Sequence, residues 1–275
     1  MSERSEYIHE RMGGQLQPGD VAPYVLVPGS EKRVKKFAGA WDEARQVAQH
    51  YEFLLYSGKM AGIPISACST GCGGRSTSIV VDELAALGAH TFIRVGVTGP
   101  LQSHLKVGDL VIASGVVRMD KTSEHYVFID YPAVADVEVT CALIAAAEKV
   151  GAPYHVGIGA TSSSFYTGEG ISGYRGYRHS GMDPIEADLT AANVLDWDTE
   201  SATIFTLCSL YGLRAGRINV IVDDPETNTY NPFGEERAVQ TALEAIKILA
   251  AWDQKKKASG AHYILPPYPT SHKSA

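Results

Sequence analysis

Thr91-Phe92-Ile93-Arg94-Val95-Gly96-Val97-Thr98-Gly99 is the stretch on which the fold turns. Its short apolar run suits a buried strand, and it ends in a glycine turn. One charged residue sits in the middle. An arginine in an apolar strand is costly unless it meets an anion or a partner acid. The glycines that follow let backbone approach closely whatever that arginine holds. Two readings stand side by side here: a structural ion pair, or the floor of an anion site.

Working outward, hydrophobic runs and helical stretches alternate along the whole chain. Upstream, Tyr24 to Val27 is an apolar run ending at Pro28-Gly29, and Ser30 to Phe37 has helical character. Phe53 to Ser57 and Ile63 to Cys68 read as strands joined through Lys59-Met60-Ala61-Gly62. Ser76 to Leu87 reads as a helix, with Ile79, Val80, Leu84 and Leu87 at helical spacing. Downstream, Gly108 to Val117 is a strand, Asp136 to Val150 an amphipathic helix and Tyr154 to Ser163 a strand. Thr199 to Tyr211 reads as a helix, Arg217 to Val222 as a strand and Gly234 to Trp252 as the last helix. Gly168 to Asp188, rich in glycine, tyrosine and charge, reads as a long loop or flap.

This rhythm predicts an α/β fold: a single domain with a central mixed, largely parallel sheet flanked by helices. The domain is expected over residues 1–254, with a C-terminal tail over 255–275 that holds Lys-Lys-Lys and Pro-Pro. In such sheets ligands gather at the carboxyl ends of strands. Polar clusters fall there at Gly29 to Arg33, Gly71 to Gly74, Gly96 to Gly99, Ser162 to Phe165 and Asp223-Asp224.

Composition narrows the function classes. The chain has 275 residues, 45% hydrophobic and 20% charged, with net charge -7. That is ample length for a core. No basic block suggests a nucleic-acid surface. No stretch reaches the roughly 18 apolar residues that a membrane span needs, and Met1-Ser-Glu-Arg-Ser-Glu-Tyr7 has no apolar signal core. The four cysteines, Cys68, Cys72, Cys141 and Cys208, have no paired zinc spacing. They read as reduced thiols of a cytoplasmic protein.

Three further segments carry chemistry-bearing residues. In Val27-Pro-Gly-Ser-Glu-Lys-Arg33 a strand enters a glycine turn and a helix begins, a geometry that aims backbone N–H groups at an anion; a capped helix start is the plainer reading. Cys68-Ser-Thr-Gly-Cys-Gly-Gly-Arg-Ser-Thr-Ser78 permits close backbone approach and an N-cap, or is simply a tight strand-to-helix turn. In Asp198-Thr-Glu-Ser-Ala-Thr203 the acids are ordinary helix-dipole partners, or acceptors for neighbouring sugar hydroxyls.

In order and spacing, these segments resemble the nucleoside phosphorylase family, on the uridine phosphorylase side. Arg94-Val-Gly-Val-Thr-Gly99, Val107-Gly-Asp109, Asp130-Tyr-Pro-Ala-Val-Ala-Asp136, Ser163-Ser-Phe-Tyr166, Glu200-Ser-Ala-Thr203 and Leu213-Arg-Ala-Gly216 complete the match. It runs from about His9 to about Ala251. The resemblance implies a pentosyltransferase that splits a nucleoside's N-glycosidic bond with inorganic phosphate, giving free base and ribose 1-phosphate, with no organic cofactor. An anion beneath C1 then stabilises an oxocarbenium-like sugar and attacks it. It further implies phosphate binding by Gly29, Arg33, Arg94 and Thr98, ribose binding by Glu200 and Thr199, and a His9 reaching the ribose of a neighbouring subunit. Phe165 would lie against the base. A dimer-based homo-oligomer, usually a hexamer, and a monovalent cation such as potassium at Glu52, Cys72 and Ser76 also follow from the resemblance.

Several positions depart from the pattern. Tyr51 stands where the family usually has an arginine that crosses to the phosphate, and a phenol cannot replace that bidentate charge. Val97 stands where a hydroxyl residue is usual. Glu169 and Ile171 replace the glutamine and arginine that read uracil. A carboxylate at Glu169 would accept hydrogen bonds only. Asp223 matches an acid that in purine-cleaving members protonates the leaving base; a strand-end turn pair with Asp224 is the plainer reading. Thr199 replaces a methionine. The catalytic set expected is thus Arg94, Glu200 and Asp223, with Glu169, Phe165 and Asp223 at an altered base site. Two alternatives to phosphorolysis stay open: a nucleosidase using water, and a non-catalytic nucleoside-binding protein.

Overall fold

The computed structural model describes residues 16–224, 227 and 229–264. Ten strands make one sheet: β1 (Tyr24–Pro28), β2 (Glu43–His50), β3 (Phe53–Met60), β4 (Ile63–Cys68), β5 (Thr91–Thr98), β6 (Leu110–Met119), β7 (Ala133–Val134), β8 (Tyr154–Ser162), β9 (Trp197–Asp198) and β10 (Arg214–Ile221). The order is β2-β3-β4-β1-β5-β10-β6-β8-β9, with β7 on β6. The pairs β1–β4, β1–β5, β5–β10, β6–β8 and β8–β9 are parallel. The β2–β3, β3–β4, β6–β10 and β6–β7 pairs are antiparallel, so the sheet is mixed as expected.

The helices are α1 (Glu31–Ala38), α2 (Gly74–Ala86), α3 (Thr122–Tyr126), α4 (Val137–Val150), α5 (Ile185–Ala191), α6 (Ser201–Leu210) and α7 (Glu235–Ser259). They cover both faces, which is why the central strands are apolar on both sides. Along β1, Tyr24 and Leu26 join one core with Val34 and Phe37 of α1, Val139 and Leu143 of α4 and Ile246 of α7. Val25 and Val27 join the other, with Val80 and Leu84 of α2 and Ile204 and Phe205 of α6. In β5, Ile93 and Val95 face the first core and Phe92 the second. Arg94, two residues on from Phe92, therefore rises on the α2–α6 side.

The structure differs from the sequence expectation at several borders. β2 was not anticipated. Its Glu43-Ala-Arg-Gln-Val-Ala-Gln-His50 is mostly exposed, a charged edge strand without apolar alternation. The β3–β4 hairpin turns at Ala61 and Gly62 alone, both with positive φ (50° and 76°), so Lys59 and Met60 remain in β3. α6 starts at Ser201, two residues later than the expected Thr199. β10 starts three residues before Arg217, and α7 runs past Trp252 to Ser259. Among the described residues no helix is long and apolar enough to cross a membrane.

Candidate active site

The site is built around Arg94. The residue is 6% exposed. Its Nε donates to Asp198 Oδ2 at 3.0 Å, and its Nη2 is ion-paired with Glu200. Its Nη1 is buried without a hydrogen-bond partner among the described residues. Both sequence readings thus have a footing: the ion pairs are real, and one edge of the guanidinium is left over. Burial alone would pull this arginine down, but Glu200 and Asp198 outweigh it and hold it above its ordinary value, a fixed cation.

Asp198 sits where β9 meets α6. It accepts from the Thr161 hydroxyl at 2.7 Å, the Ser201 N–H at 3.2 Å and the Ser201 hydroxyl. Burial would raise its carboxyl; Arg94, Arg217 and these hydroxyls together hold it below the usual carboxylate range. Glu200 opens α6. Its Oε1 accepts from the Gly73 N–H and from the Thr199 hydroxyl, each at 2.7 Å. Gly73 can present that N–H because its φ is +100°, a conformation glycine tolerates. Next to it, a Cβ on Gly74 would stand 2.3 Å from Thr203 Oγ1. The glycine-rich loop after β4 is therefore wrapped around the start of α6, with Glu200 as its polar anchor.

Gly29 and Arg33 approach from β1 and α1. A Cβ on Gly29 would lie 3.2 Å from the Gly71 carbonyl, so the loops after β1 and β4 nearly touch. Arg33 Nε is 3.8 Å from Glu235 Oε2. Burial lowers Arg33 from its ordinary value; Glu235 and Glu200 offset part of this, and the charge of Arg94 adds to it. Two arginines thus feel each other's charge at one place.

Thr98 has a different task from the one expected. Its hydroxyl donates to the Trp197 carbonyl at 2.7 Å and accepts from the Trp197 N–H at 3.1 Å, joining β5 to β9. That hydroxyl is committed to the backbone and not turned to an anion. Val97 packs against the first core.

At the other end stand two more acids. Asp223 Oδ2 lies 3.3 Å from the position of a Cβ on Gly99, and burial raises its carboxyl. Glu169, in a single 3-10 turn (Thr167–Glu169), is pushed up to about 8 by burial and by the negative charges of Asp198, Glu200 and Asp223. This environment favours the protonated form of Glu169 over the acceptor-only carboxylate. At neutral pH its carboxyl keeps a proton, so it both donates and accepts. Phe165 is 60% exposed, edge-on to Tyr166 at 5.4 Å.

Tyr51 is 75% exposed at positive φ, its ring against His50. Arg178 of the flap is engaged within its own loop. It bonds the Gly170 carbonyl at 2.8 Å and Asp183 at 2.9 Å. His9 lies outside the described residues. Glu52 folds over Gly71, Cys72 is exposed, and the Ser76 hydroxyl is turned onto the Gly73 carbonyl at 3.3 Å.

Sequence reasoning passed over one buried cluster: Arg217 and Asn219 of β10 with Asp196. Arg217 is ion-paired with Asp196, and Asn219 Nδ2 donates to Asp196 at 3.1 Å. The signal was alternation: Arg217 and Asn219 are two apart in one strand, which places both on one face of β10.

Comparison with known proteins bears on this site. The family model described as the phosphorylase superfamily matches residues 23–251. The uridine phosphorylase of Thermococcus kodakarensis is 50% identical over 244 residues, 89% of this chain and 88% of the relative. The uridine phosphorylase of Escherichia coli is 41% identical over 230 residues, 83% of this chain and 90% of the relative. The guanosine phosphorylase of Halorubrum lacusprofundi is 32% identical over 246 residues, 85% of this chain and 97% of the relative. On the span and depth of these matches, the chain belongs to the phosphorylase superfamily.

Proposed function

We propose that this protein is a nucleoside phosphorylase, a pentosyltransferase that cleaves a nucleoside with inorganic phosphate to free base and ribose 1-phosphate. The relatives named uridine and guanosine phosphorylase support the reaction class. The observation that carries the reading is the unpartnered Nη1 of buried Arg94, beside Glu200 and within electrostatic reach of Arg33. Buried donors of this kind want an anion.

In this reading phosphate lies against Arg94, Arg33 and the turn at Gly29. Glu200 and Thr199 face the ribose hydroxyls. As the C1–N bond breaks, its electron pair leaves with the base and positive charge grows on the sugar. The phosphate stabilises that charge and one of its oxygens forms the new bond to C1. Glu169 and Asp223, both raised toward their neutral forms, supply a proton or a hydrogen bond to the departing base, with Phe165 against its face. The pair suits a base presenting both a donor and an acceptor.

No organic cofactor enters this chemistry. A potassium ion at Glu52, Cys72 and Ser76 rests on the family resemblance alone, since a thiol is a soft partner for a hard cation. The same resemblance carries a dimer-based assembly, a hexamer, with His9 entering a neighbour's site, and a cytoplasmic role in nucleoside catabolism and salvage. The exposed rings of Tyr51 and Phe165 suit a surface that a second copy covers.

The test is a panel of pyrimidine and purine nucleosides with and without phosphate, products separated by chromatography. Phosphate-dependent base release with ribose 1-phosphate is expected. Base release indifferent to phosphate, with free ribose, would replace this reading by hydrolysis, which the exposed Tyr51 and the internally bonded Arg178 favour. Binding without turnover would replace it by a non-catalytic role.

A further inference from the structure

Arg217 of β10 pairs in register with Arg94 of β5. Partners on parallel strands project to the same side of a sheet, so two cations rise together on the face toward α6. Arg217 is completely buried. It is ion-paired with Asp196, and its Nη1 lies 3.7 Å from Asp198 Oδ2. That same oxygen takes Nε of Arg94 at 3.0 Å. Space has been cleared for the network. A Cβ on Gly159 would stand 2.5 Å from Arg217 Nη2, and one on Gly96 would stand 2.3 Å from Asn219 Oδ1 and 3.2 Å from Arg94 Nη2. Two strand positions are bare where the charged groups pass.

An apolar side chain of similar volume would be the cheaper occupant of position 217 if packing alone mattered. The charges around Arg94 point to a further use. Asp196, Asp198 and Glu200 are all buried within one cluster. Without Arg217 these three carboxylates would face one buried arginine, and their field would repel an incoming anion. With Arg217 in place, Asp196 is matched and Asp198 is shared. Arg94 then stays anchored through Nε while its Nη1 remains unpartnered.

We infer that Arg217 is a positioning residue for the anion site: by taking Asp196 and dividing Asp198 with Arg94, it holds Arg94 in place and keeps the field at Nη1 favourable to phosphate. The inference rests on the reading of Arg94 as the phosphate ligand. It assigns Arg217 no contact with substrate.

Two variants test it. Arg217→Met alone would strand Asp196, so it is combined with Asp196→Asn, which removes both charges. Arg217→Lys keeps the charge but lacks the fork that reaches both acids. Phosphate affinity is measured by calorimetry and by steady-state kinetics, and folding by thermal melts. The double variant is expected to lose about tenfold in phosphate affinity, and Arg217→Lys about threefold, with nucleoside KM changed less than about twofold. If either folded variant binds phosphate as tightly as the parent, the inference is overturned, whatever happens to the melting temperature. A parent that neither binds phosphate nor turns over faster with it would overturn the phosphorylase reading, and this inference with it.

Discussion

The backbone N–H of Gly73 donates to Oε1 of Glu200 at 2.7 Å, joining the loop after β4 to the start of α6 across 127 residues of sequence. The other oxygen of the same carboxylate meets Arg94. Glu200 therefore stands between a backbone donor that never changes charge and a cation that phosphate would also claim. Nucleoside and phosphate would compete for different ends of one ion pair.

Replacing Glu200 by glutamine separates those ends. The amide oxygen can still accept from Gly73, but the amide cannot pair with Arg94 or accept charge-assisted bonds from ribose hydroxyls. Nucleoside kcat/KM is expected to fall about 10- to 100-fold. Phosphate KM is expected to stay level or fall, because Arg94 has lost a rival anion. Initial rates with both substrates varied give the two constants; an unchanged nucleoside kcat/KM would remove Glu200 from the ribose.

Gly159 tests the packing behind the site. A Cβ there would come within 2.5 Å of Arg217 Nη2 and 2.8 Å of Asp196 Oδ1. Neither side chain can retreat, since both are fully buried in the ion pair. Gly159→Ala is expected to destabilise the protein by about 2–3 kcal/mol, in the range of core overpacking. For a chain of this size that is a fall in Tm of roughly 5–10 °C, read by calorimetry. A surface-like change under 1 °C would mean the cluster is looser than its distances say.

The sheet and its site were legible to different depths. The buried strands announced themselves because both faces are covered, so Tyr24 to Val27 is apolar throughout and Thr91 to Val95 carries Phe92, Ile93 and Val95 around Arg94. β2 did not, because an exposed edge strand needs no apolar side and carries charges instead. Arg94 was visible as a charge inside an apolar strand, and Arg33 and Glu200 as ionisable residues at helix starts. Arg217 was not, since an arginine three residues after Arg214 looks like any strand-start charge until register sets it beside Arg94. Thr98 was placed at the phosphate by the family resemblance, because only the tertiary approach of β5 to β9 brings Trp197 to its hydroxyl. The protonation of Glu169 is likewise a property of neighbours distant in sequence, Asp198, Glu200 and Asp223, and no local pattern around Tyr166 to Ile171 encodes it.

That protonation makes a pH prediction with a definite sign. Glu169 titrates near its usual 4.5 when unfolded and near about 8 when folded. Between those values the folded chain binds the extra proton, so its stability declines as pH rises through that window and levels off above it. Glu169→Gln has no proton to lose. Relative to the parent it is expected to gain stability progressively from about pH 5 to pH 8, and to gain nothing below pH 4. Catalysis should follow the same group. A neutral acid can donate to a base carbonyl and the carboxylate cannot, so nucleoside KM of the parent should climb above about pH 8 while that of Glu169→Gln stays flat. Melting curves and KM measured across pH 5 to 9.5 on both proteins check the two halves independently. A parent whose KM falls on going alkaline would mean that Glu169 serves the base as a carboxylate after all.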